Sequence, residues 1–316
     1  MPDQLQTPVA LLIFQRPDTT AKVFAEVARA RPRKLLVVAD GPRANREGEA
    51  ERCAAARRII EGVDWPCEVL TNYAERNLGC KHRVSTGLDW VFEQVPEAII
   101  LEDDCVPDVS FFRYCEELLM RYRDDERVMC ISGTNFWPGP SRTEYSYGFS
   151  RYSLIWGWAS WRRAWRHYDV DIKLWPLVRN GGWLTDVLRN VAAVEDWSWI
   201  FDRVREGEID TWDYQWTLAC WLQTGLCVLP TVNLVRNIGF GVFETHPQPA
   251  HSLSVHEMQF PLKHPMFMVR DEIVDAYTQR TFYPGPALWR RLATRALRTL
   301  GLYDTIRLHL RRRSRR

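Results

Sequence analysis

The first half of the chain alternates continuous apolar runs with amphipathic stretches. The apolar runs, which are typical of strands buried on both faces of a sheet, are residues 9–14, 34–39, 67–71, 98–101 and 128–132. The stretches with helical periodicity are residues 18–31, 47–61, 81–94 and 109–122. This alternation predicts an α/β fold with a parallel, doubly wound central sheet. In such folds ligands bind at the carboxyl ends of the strands.

The fourth apolar run leads directly into three carboxylates, Glu102, Asp103 and Asp104, with Pro107 soon after. A buried strand has little use for carboxylates, and three adjacent ones repel each other, so the pattern favours a bound cation. Hard oxygen ligands suit Mg²⁺ or Mn²⁺ that also holds the phosphates of a substrate. The alternative is a solvated acidic turn, as expected for residues 123–127.

No glycine-rich phosphate loop follows the first strand: the chain has neither GxGxxG nor GxxxxGK[ST] there. A nucleotide bound at this edge of the sheet would therefore need a metal ion to bind its diphosphate, and the acidic triplet could supply that metal site.

The second half is rich in tryptophan, with eleven of the fifteen between Trp156 and Trp221. Such a cluster serves either a core or a binding surface. Helices are expected over residues 159–165, 183–193 and 210–223, a strand over residues 228–234, and a loop from residue 237.

Length and charge suggest a domain of residues 1–284 and a basic tail of residues 285–316. Within the domain, residues 8–134 would form a nucleotide-binding half and residues 135–284 an acceptor-side half. The tail has ten arginines and one acid, a charge of +9, which leaves −7 for the rest of a chain whose net charge is +2. Residues 288–300 form an amphipathic helical pattern that could lie on an anionic membrane or dock on the domain itself.

The cysteines and the N-terminal residues indicate the expected cellular compartment. The eight cysteines are scattered without metal-binding spacing and are expected to be reduced thiols, and no signal peptide is seen at the start. We therefore expect a cytoplasmic protein, with the tail as a candidate attachment to the inner face of the membrane. Nucleic-acid binding is not expected, because the body is acidic and has no recognised motif.

Four motifs occur in order after the alternating half. They are residues 99–107 (IILEDDCVP), 155–165 (IWGWASWRRAW), 212–216 (WDYQW), and 237–241 with Thr245 and His246. With these motifs the chain resembles GT-A nucleotide-sugar glycosyltransferases over roughly residues 8–247. The likeness is greatest to bacterial members related in pattern to the N-acetylglucosaminyltransferase I type.

The resemblance implies a GT-A fold, with a mixed, mainly parallel central sheet followed by a C-terminal basic amphipathic helix. It also implies a metal-dependent inverting glycosyltransferase. Its donor would be a nucleotide-diphosphate sugar, favoured as a UDP-sugar, and its acceptor a glycan or a lipid-linked glycan. Two alternatives stay open: a nucleotidyltransferase that makes the sugar nucleotide, and a catalytically silent sugar-binding domain.

The resemblance also implies roles for individual residues. Asp104 would be the direct ligand of Mn²⁺ or Mg²⁺, and His246 would touch the metal or the diphosphate. Glu102 and Asp103 would contact the ribose and metal-bound water. The remaining positions on the nucleotide side are Phe14, Gln15, Arg16, Asp40, Lys81 and Arg83.

On the acceptor side, Asp213 is the candidate general base that takes the proton of the acceptor hydroxyl as it attacks C1 of the sugar. It could instead be a helix N-cap, and Asp210 is a rival, since the family has two adjacent acids where this chain has Asp213-Tyr214. A sugar platform is expected from three further residues, which could equally belong to the core. They are Trp156, Gly157 and Trp158.

Overall fold

A computed structural model describes residues 4–239 and 254–283. The alternation predicted for the first half is confirmed. Its strands are β1 (Val9–Ile13), β2 (Lys34–Ala39), β3 (Glu68–Tyr73), β4 (Glu97–Glu102), β5 (Cys105–Pro107) and β6 (Val128–Ser132). Its helices are α1 (Pro17–Ala30), α2 (Glu49–Arg58), which a 3-10 helix (Ile59–Gly62) extends, α3 (Gly79–Gln94) and α4 (Ser110–Arg121).

The second half contributes four strands and six helices within the described ranges. The strands are β7 (Tyr147–Ser150), β8 (Trp158–Trp161), β9 (Leu226–Pro230) and β10 (Val235–Asn237). The helices are α5 (Arg162–Trp165), α6 (Trp175–Asn180), α7 (Leu184–Leu188), α8 (Val191–Arg205), α9 (Asp213–Leu222) and α10 (Glu272–Phe282).

In the described part of the chain, eight strands form one sheet in the order β3-β2-β1-β4-β8-β6-β9-β7. Strands β1, β2, β3, β4, β6 and β9 run parallel, and β8 and β7 run antiparallel to them. The sheet is therefore mixed and mainly parallel, as predicted. Strands β2 and β3 extend from one side of β1 and β4 lies on the other, so the strand order reverses between β1 and β4. A crevice opens at such a reversal.

The core lies on both faces of this sheet because alternate side chains of each strand point to opposite faces. In β1, Ala10 and Leu12 join one apolar cluster, and Val9, Leu11 and Ile13 join the other. Burial on both faces explains why this strand is a continuous apolar run in the sequence.

The helix predicted over residues 159–165 is wrong in its first part. Residues 158–161 form β8, which lies between β4 and β6 and is buried along its whole length, and only Arg162–Trp165 is helical. Residues 158–161 form a strand because they hydrogen-bond to β4 and β6. A segment of four residues is too short for its own periodicity to indicate this.

Other boundaries also differ from the predictions. The helix expected over residues 183–193 is divided into α7 and α8 at Arg189, whose φ is 52°, and Asn190 caps α8 through its side chain. The strand expected over residues 228–234 ends at Pro230, and a second strand, β10, pairs with β5 in a separate antiparallel ribbon.

Candidate functional site

The carboxyl ends of β1, β2 and β4 enclose a cavity of about 320 Å³. It lies at the point where the strand order reverses, as expected for a ligand site in an open α/β sheet. Seven of the sequence-predicted nucleotide-side and metal residues line it, namely Phe14, Arg16, Asp40, Arg83, Glu102, Asp103 and Asp104. These seven residues come from four separated segments of the sequence and meet at one edge of the sheet.

The acidic triplet is tied to the end of β1. The backbone N–H of Phe14 donates to Oδ2 of Asp103 at 3.0 Å. The Arg16 guanidinium lies 2.6 Å from Oδ2 of Asp104 and 3.6 Å from Oδ1 of Asp103. These contacts join residues almost ninety positions apart and offset part of the triplet's negative charge.

Electrostatics at the triplet favour a further cation. Burial and the neighbouring carboxylates raise the pKa of Glu102 and of Asp103 above their ordinary values. Within the described residues, the buried Oε1 of Glu102 has no hydrogen-bond partner. A positive charge placed among these oxygens would lower the cost of burying them.

The β5–β10 ribbon brings a second loop against Asp104. Residues Cys105 and Asn237 face each other in the ribbon, and the N–H of Ile238 donates to the Asp104 carbonyl at 2.8 Å. Gly239 follows, and a Cβ on that residue would lie 2.1 Å from Oδ2 of Asp104. A larger residue at this position would therefore displace the Asp104 carboxylate.

Asp40 and Arg83 hold the loops that form the cavity wall. The Asp40 carboxylate accepts hydrogen bonds from the N–H groups of Gly41 and Leu78 and from the side chain of Asn77. Arg83 is buried and donates to the Ala39 carbonyl and to Asn72. Both side chains line the cavity while fixing the ends of β2 and β3.

Two other predicted nucleotide-side residues do not line the cavity. Lys81 turns its ammonium group to Asp171, at 3.7 Å, and Gln15 accepts hydrogen bonds from the Arg52 guanidinium. Their roles in binding stay predictions.

Of the two candidate bases, Asp210 is among the residues that line the cavity and Asp213 is not. Asp210 lines it, and its Oδ1 accepts the Lys81 N–H at 3.3 Å, close to the start of α3. Asp213 is the first residue of α9 rather than its N-cap, which is Trp212, and its carboxylate accepts a hydrogen bond from the Thr211 hydroxyl. Burial and the charges of Asp104 and Asp103 are the main causes of the raised pKa of Glu102, and the charge of Asp213 adds to them. The choice of base stays a prediction.

The tryptophans expected to form a sugar platform are placed differently from one another. Trp158 is 0% exposed and packs on Trp212 and Trp216, with each pair of ring centroids 5.6 Å apart. In this conformation it has no exposed face for a sugar, and its place is a core position. Trp156 is partly buried and contacts Phe136 edge-on. Gly157 has φ 64°, and a Cβ there would lie 2.6 Å from Cγ2 of Val235.

Sequence reasoning missed several cavity residues. Arg43, Asn77 and Cys80 line the wall, and Arg43 forms a bidentate pair with the buried Glu49 while lying over the Phe14 ring. Arg43 could have been predicted from the sequence, because it follows the end of β2 by a few residues and ligand sites form at such strand ends. No sequence pattern indicated that Cys80, at the start of α3, lines the cavity.

The predicted metal ligand His246 and the basic tail lie outside the described residues. Among those that are described, no group of three His, Cys, Asp or Glu residues could hold a metal by itself. Mg²⁺ typically takes one or two protein carboxylates together with water and substrate phosphates. The Asp104 carboxylate, whose side chain is 14% exposed, and the unpartnered Glu102 oxygen fit a cation that arrives with such phosphates.

The described cysteines, all eight of them, are free thiols. No helix in the described ranges is both long and apolar enough to cross a lipid bilayer.

No protein-family model and no curated protein matches the chain. Among solved structures, it is similar to 4-diphosphocytidyl-2C-methyl-D-erythritol synthase from Anaerococcus prevotii DSM 20548, at 9% identity and a TM-score of 0.33, over 52% of this chain and 75% of the other. It is also similar to a UDP-glucose pyrophosphorylase complexed with UDP-glucose, at 10% identity and a TM-score of 0.26, over 46% of this chain and 62% of the other. With scores this low, neither structure defines what this chain does.

Proposed function

We propose that the protein is a metal-dependent inverting glycosyltransferase of the GT-A type. Its donor is a nucleotide-diphosphate sugar, best tested as a UDP-sugar, and its acceptor is a glycan or a lipid-linked glycan. The observation that carries the proposal is the convergence of Glu102, Asp103 and Asp104 with Arg16 in one cavity at the reversal of strand order.

The cavity wall suits a nucleotide diphosphate. Phe14 lines the cavity, and the Arg43 guanidinium, whose carbon lies 5.8 Å from the ring centroid, covers one face of its ring, so a planar base would stack on the opposite face. Arg16 supplies a guanidinium, the side chain best matched to phosphate oxygens. Asp104 would hold the divalent cation, Mn²⁺ or Mg²⁺, whose contribution there is to neutralise the charge of the departing diphosphate.

Transfer needs one carboxylate on the acceptor side. We assign that role to Asp213, which takes the proton from the acceptor hydroxyl as its oxygen bonds to C1 of the sugar. The bond from C1 to the diphosphate oxygen breaks in the same step, and the electron pair leaves with the nucleotide diphosphate. His246 would add a contact to the metal or the diphosphate. The basic tail would bring the enzyme to an anionic membrane that carries a lipid-linked acceptor.

The proposal is tested by thermal shift with a panel of nucleotide sugars, each with and without Mn²⁺. A donor held through its diphosphate should stabilise the fold only when the metal is present, by about 2.7 kcal/mol at a hundred times its Kd. Asp104→Ala should abolish this stabilisation and sugar transfer. Asp213→Ala should abolish transfer and keep the metal-dependent stabilisation.

A matched control is Asp124→Ala, which removes an exposed acid outside the cavity and should leave both properties unchanged. Full transfer activity in both Asp104→Ala and Asp213→Ala would refute the assignment. Metal-dependent binding of sugar nucleotides with no transfer to any acceptor would indicate the catalytically silent alternative.

A nucleotidyltransferase is the second candidate, because a cavity with Arg16 beside the acidic triplet would suit the phosphates of a nucleoside triphosphate as well as those of a sugar nucleotide. Such an enzyme joins a nucleoside triphosphate to a sugar phosphate and releases pyrophosphate. An assay for pyrophosphate release from each nucleoside triphosphate with sugar 1-phosphates separates the two activities, and we expect no release.

A further inference from the structure

The Arg16 guanidinium occupies Oδ2 of Asp104, one of the two carboxylate oxygens that this residue could offer to a divalent cation. It lies 2.6 Å from Oδ2 of Asp104, a distance typical of a charge-assisted hydrogen bond, and 3.6 Å from Asp103. Among the described residues, it is the cationic side chain that forms ion pairs with the acidic triplet.

The surroundings leave little room for a second cation at that oxygen. The backbone of Gly239 lies beside both groups, since a Cβ added to that residue would be 2.1 Å from Oδ2 of Asp104 and 3.0 Å from the same nitrogen of Arg16. In the neighbouring carboxylate, Oδ2 of Asp103 already accepts a hydrogen bond from the Phe14 N–H. A divalent ion that bound Oδ2 of Asp104 here would meet the guanidinium charge within a few ångströms, so Arg16 must leave first.

Moving Arg16 costs little in packing, since 46% of its side chain is exposed. Its ion pair with Asp104 would nevertheless be lost without replacement if a bare metal ion arrived alone. A diphosphate arriving with the metal offers the guanidinium new anionic oxygens in the same cavity. The exchange of Asp104 for phosphate oxygens as the partner of Arg16 is then favourable only when metal and nucleotide bind together.

We propose that Arg16 is a placeholder cation that blocks free divalent metal from Asp104 until a nucleotide diphosphate accepts its guanidinium. The proposal rests on the proposed function and adds its regulation: metal binding in this site is conditional on nucleotide. It makes Arg16 a positioning residue for Asp104 in the nucleotide-free protein.

The test measures Mn²⁺ binding to the full chain by electron paramagnetic resonance of the free ion, with and without UDP. Arg16→Gln and Arg16→Met remove the charge and should bind Mn²⁺ without UDP about tenfold more tightly than the wild type, an effect of about 1.4 kcal/mol. Arg16→Lys keeps a cation and should stay within about threefold of the wild type. Arg52→Gln, which removes a charge that contacts Gln15 instead of Asp104, should match the wild type.

With saturating UDP the advantage of the neutral variants should disappear, because Arg16 then contacts phosphate. The inference is overturned if Arg16→Gln and Arg16→Met bind Mn²⁺ no better than the wild type without UDP. If the wild type nevertheless gains Mn²⁺ binding with UDP, and Asp104→Asn loses it, the proposed function survives that failure. If UDP never promotes Mn²⁺ binding in the wild type, the metal site of the proposed function fails as well.

Discussion

Replacement of Gly157 by alanine tests whether this glycine is needed for its left-handed backbone and its close packing against Val235. Its φ of 64° lies in the left-handed region, and a Cβ there would approach Cγ2 of Val235 to 2.6 Å and Cγ1 to 3.2 Å. Apolar carbons pack at about 3.5–4.0 Å, so one of the two residues must shift by almost 1 Å. Val235 begins β10, and β10 leads to the loop that contacts Asp104.

The expected cost has two parts. Left-handed backbone costs an alanine about 1 kcal/mol, and overpacking of a buried contact costs about 2 kcal/mol. Gly157→Ala should therefore lower the free energy of unfolding by about 3 kcal/mol. Gly182→Ala is the matched control, because Gly182 has φ 70° and nothing within 4 Å of its Cβ position, and it should cost about 1 kcal/mol.

Urea unfolding of the single and double variants measures both parts. Val235→Ala alone opens a cavity at a buried site and should cost about 2 kcal/mol. In the Gly157→Ala background it should cost almost nothing, since the methyl groups removed are those in collision, which gives a coupling of about 2 kcal/mol. Equal costs for Gly157→Ala and Gly182→Ala, with no coupling to Val235, would refute the packing argument. A loss of sugar-nucleotide binding without loss of stability would then support a place for Gly157 in the sugar platform that the sequence predicted.

Three further changes test other parts of the structure. Trp158→Ala should lower stability by about 3–5 kcal/mol in thermal or urea unfolding, because the ring is fully buried, whereas Trp183→Ala, at a side chain 59% exposed, should stay within about 0.5 kcal/mol. Arg151→Met should cost about 3–5 kcal/mol, because it deprives the buried Asp275 of a partner at 3.1 Å; a change below 1 kcal/mol would contradict this reasoning. Asp40→Asn should cost about 1–3 kcal/mol in urea unfolding, because an amide presents a donor where three donors already converge, and an unchanged midpoint would argue against that network.

Much of the first half could be predicted from the sequence. Strands such as β2 and β6 have the bounds expected, because a strand buried on both faces must be apolar throughout and charge or glycine marks its end. The acidic triplet was located for the same reason: β4 ends at the first of the three carboxylates, Glu102, and Asp103 and Asp104 follow at the edge of the sheet.

The second half was harder to predict, because its elements depend on neighbours far along the chain. Strand β8 is four residues long, and its place between β4 and β6 is determined by hydrogen bonds to those strands. Nothing in its own pattern separates a strand from a helix. For the same reason Trp158 could be assigned to the core or to a binding surface until its packing was known.

At the site, the sequence by itself determined which residue types gather at the carboxyl edge of the strands, because local periodicity and charge encode where strands end. Only the tertiary structure decided their partners: Arg16 with Asp104, eighty-eight residues apart, and Lys81 with Asp210, one hundred and twenty-nine apart. It also decided that Gly157 makes room for Val235 and that Gly239 reaches Asp104. Such contacts depend on the relative placement of whole strands and loops, which no local pattern records.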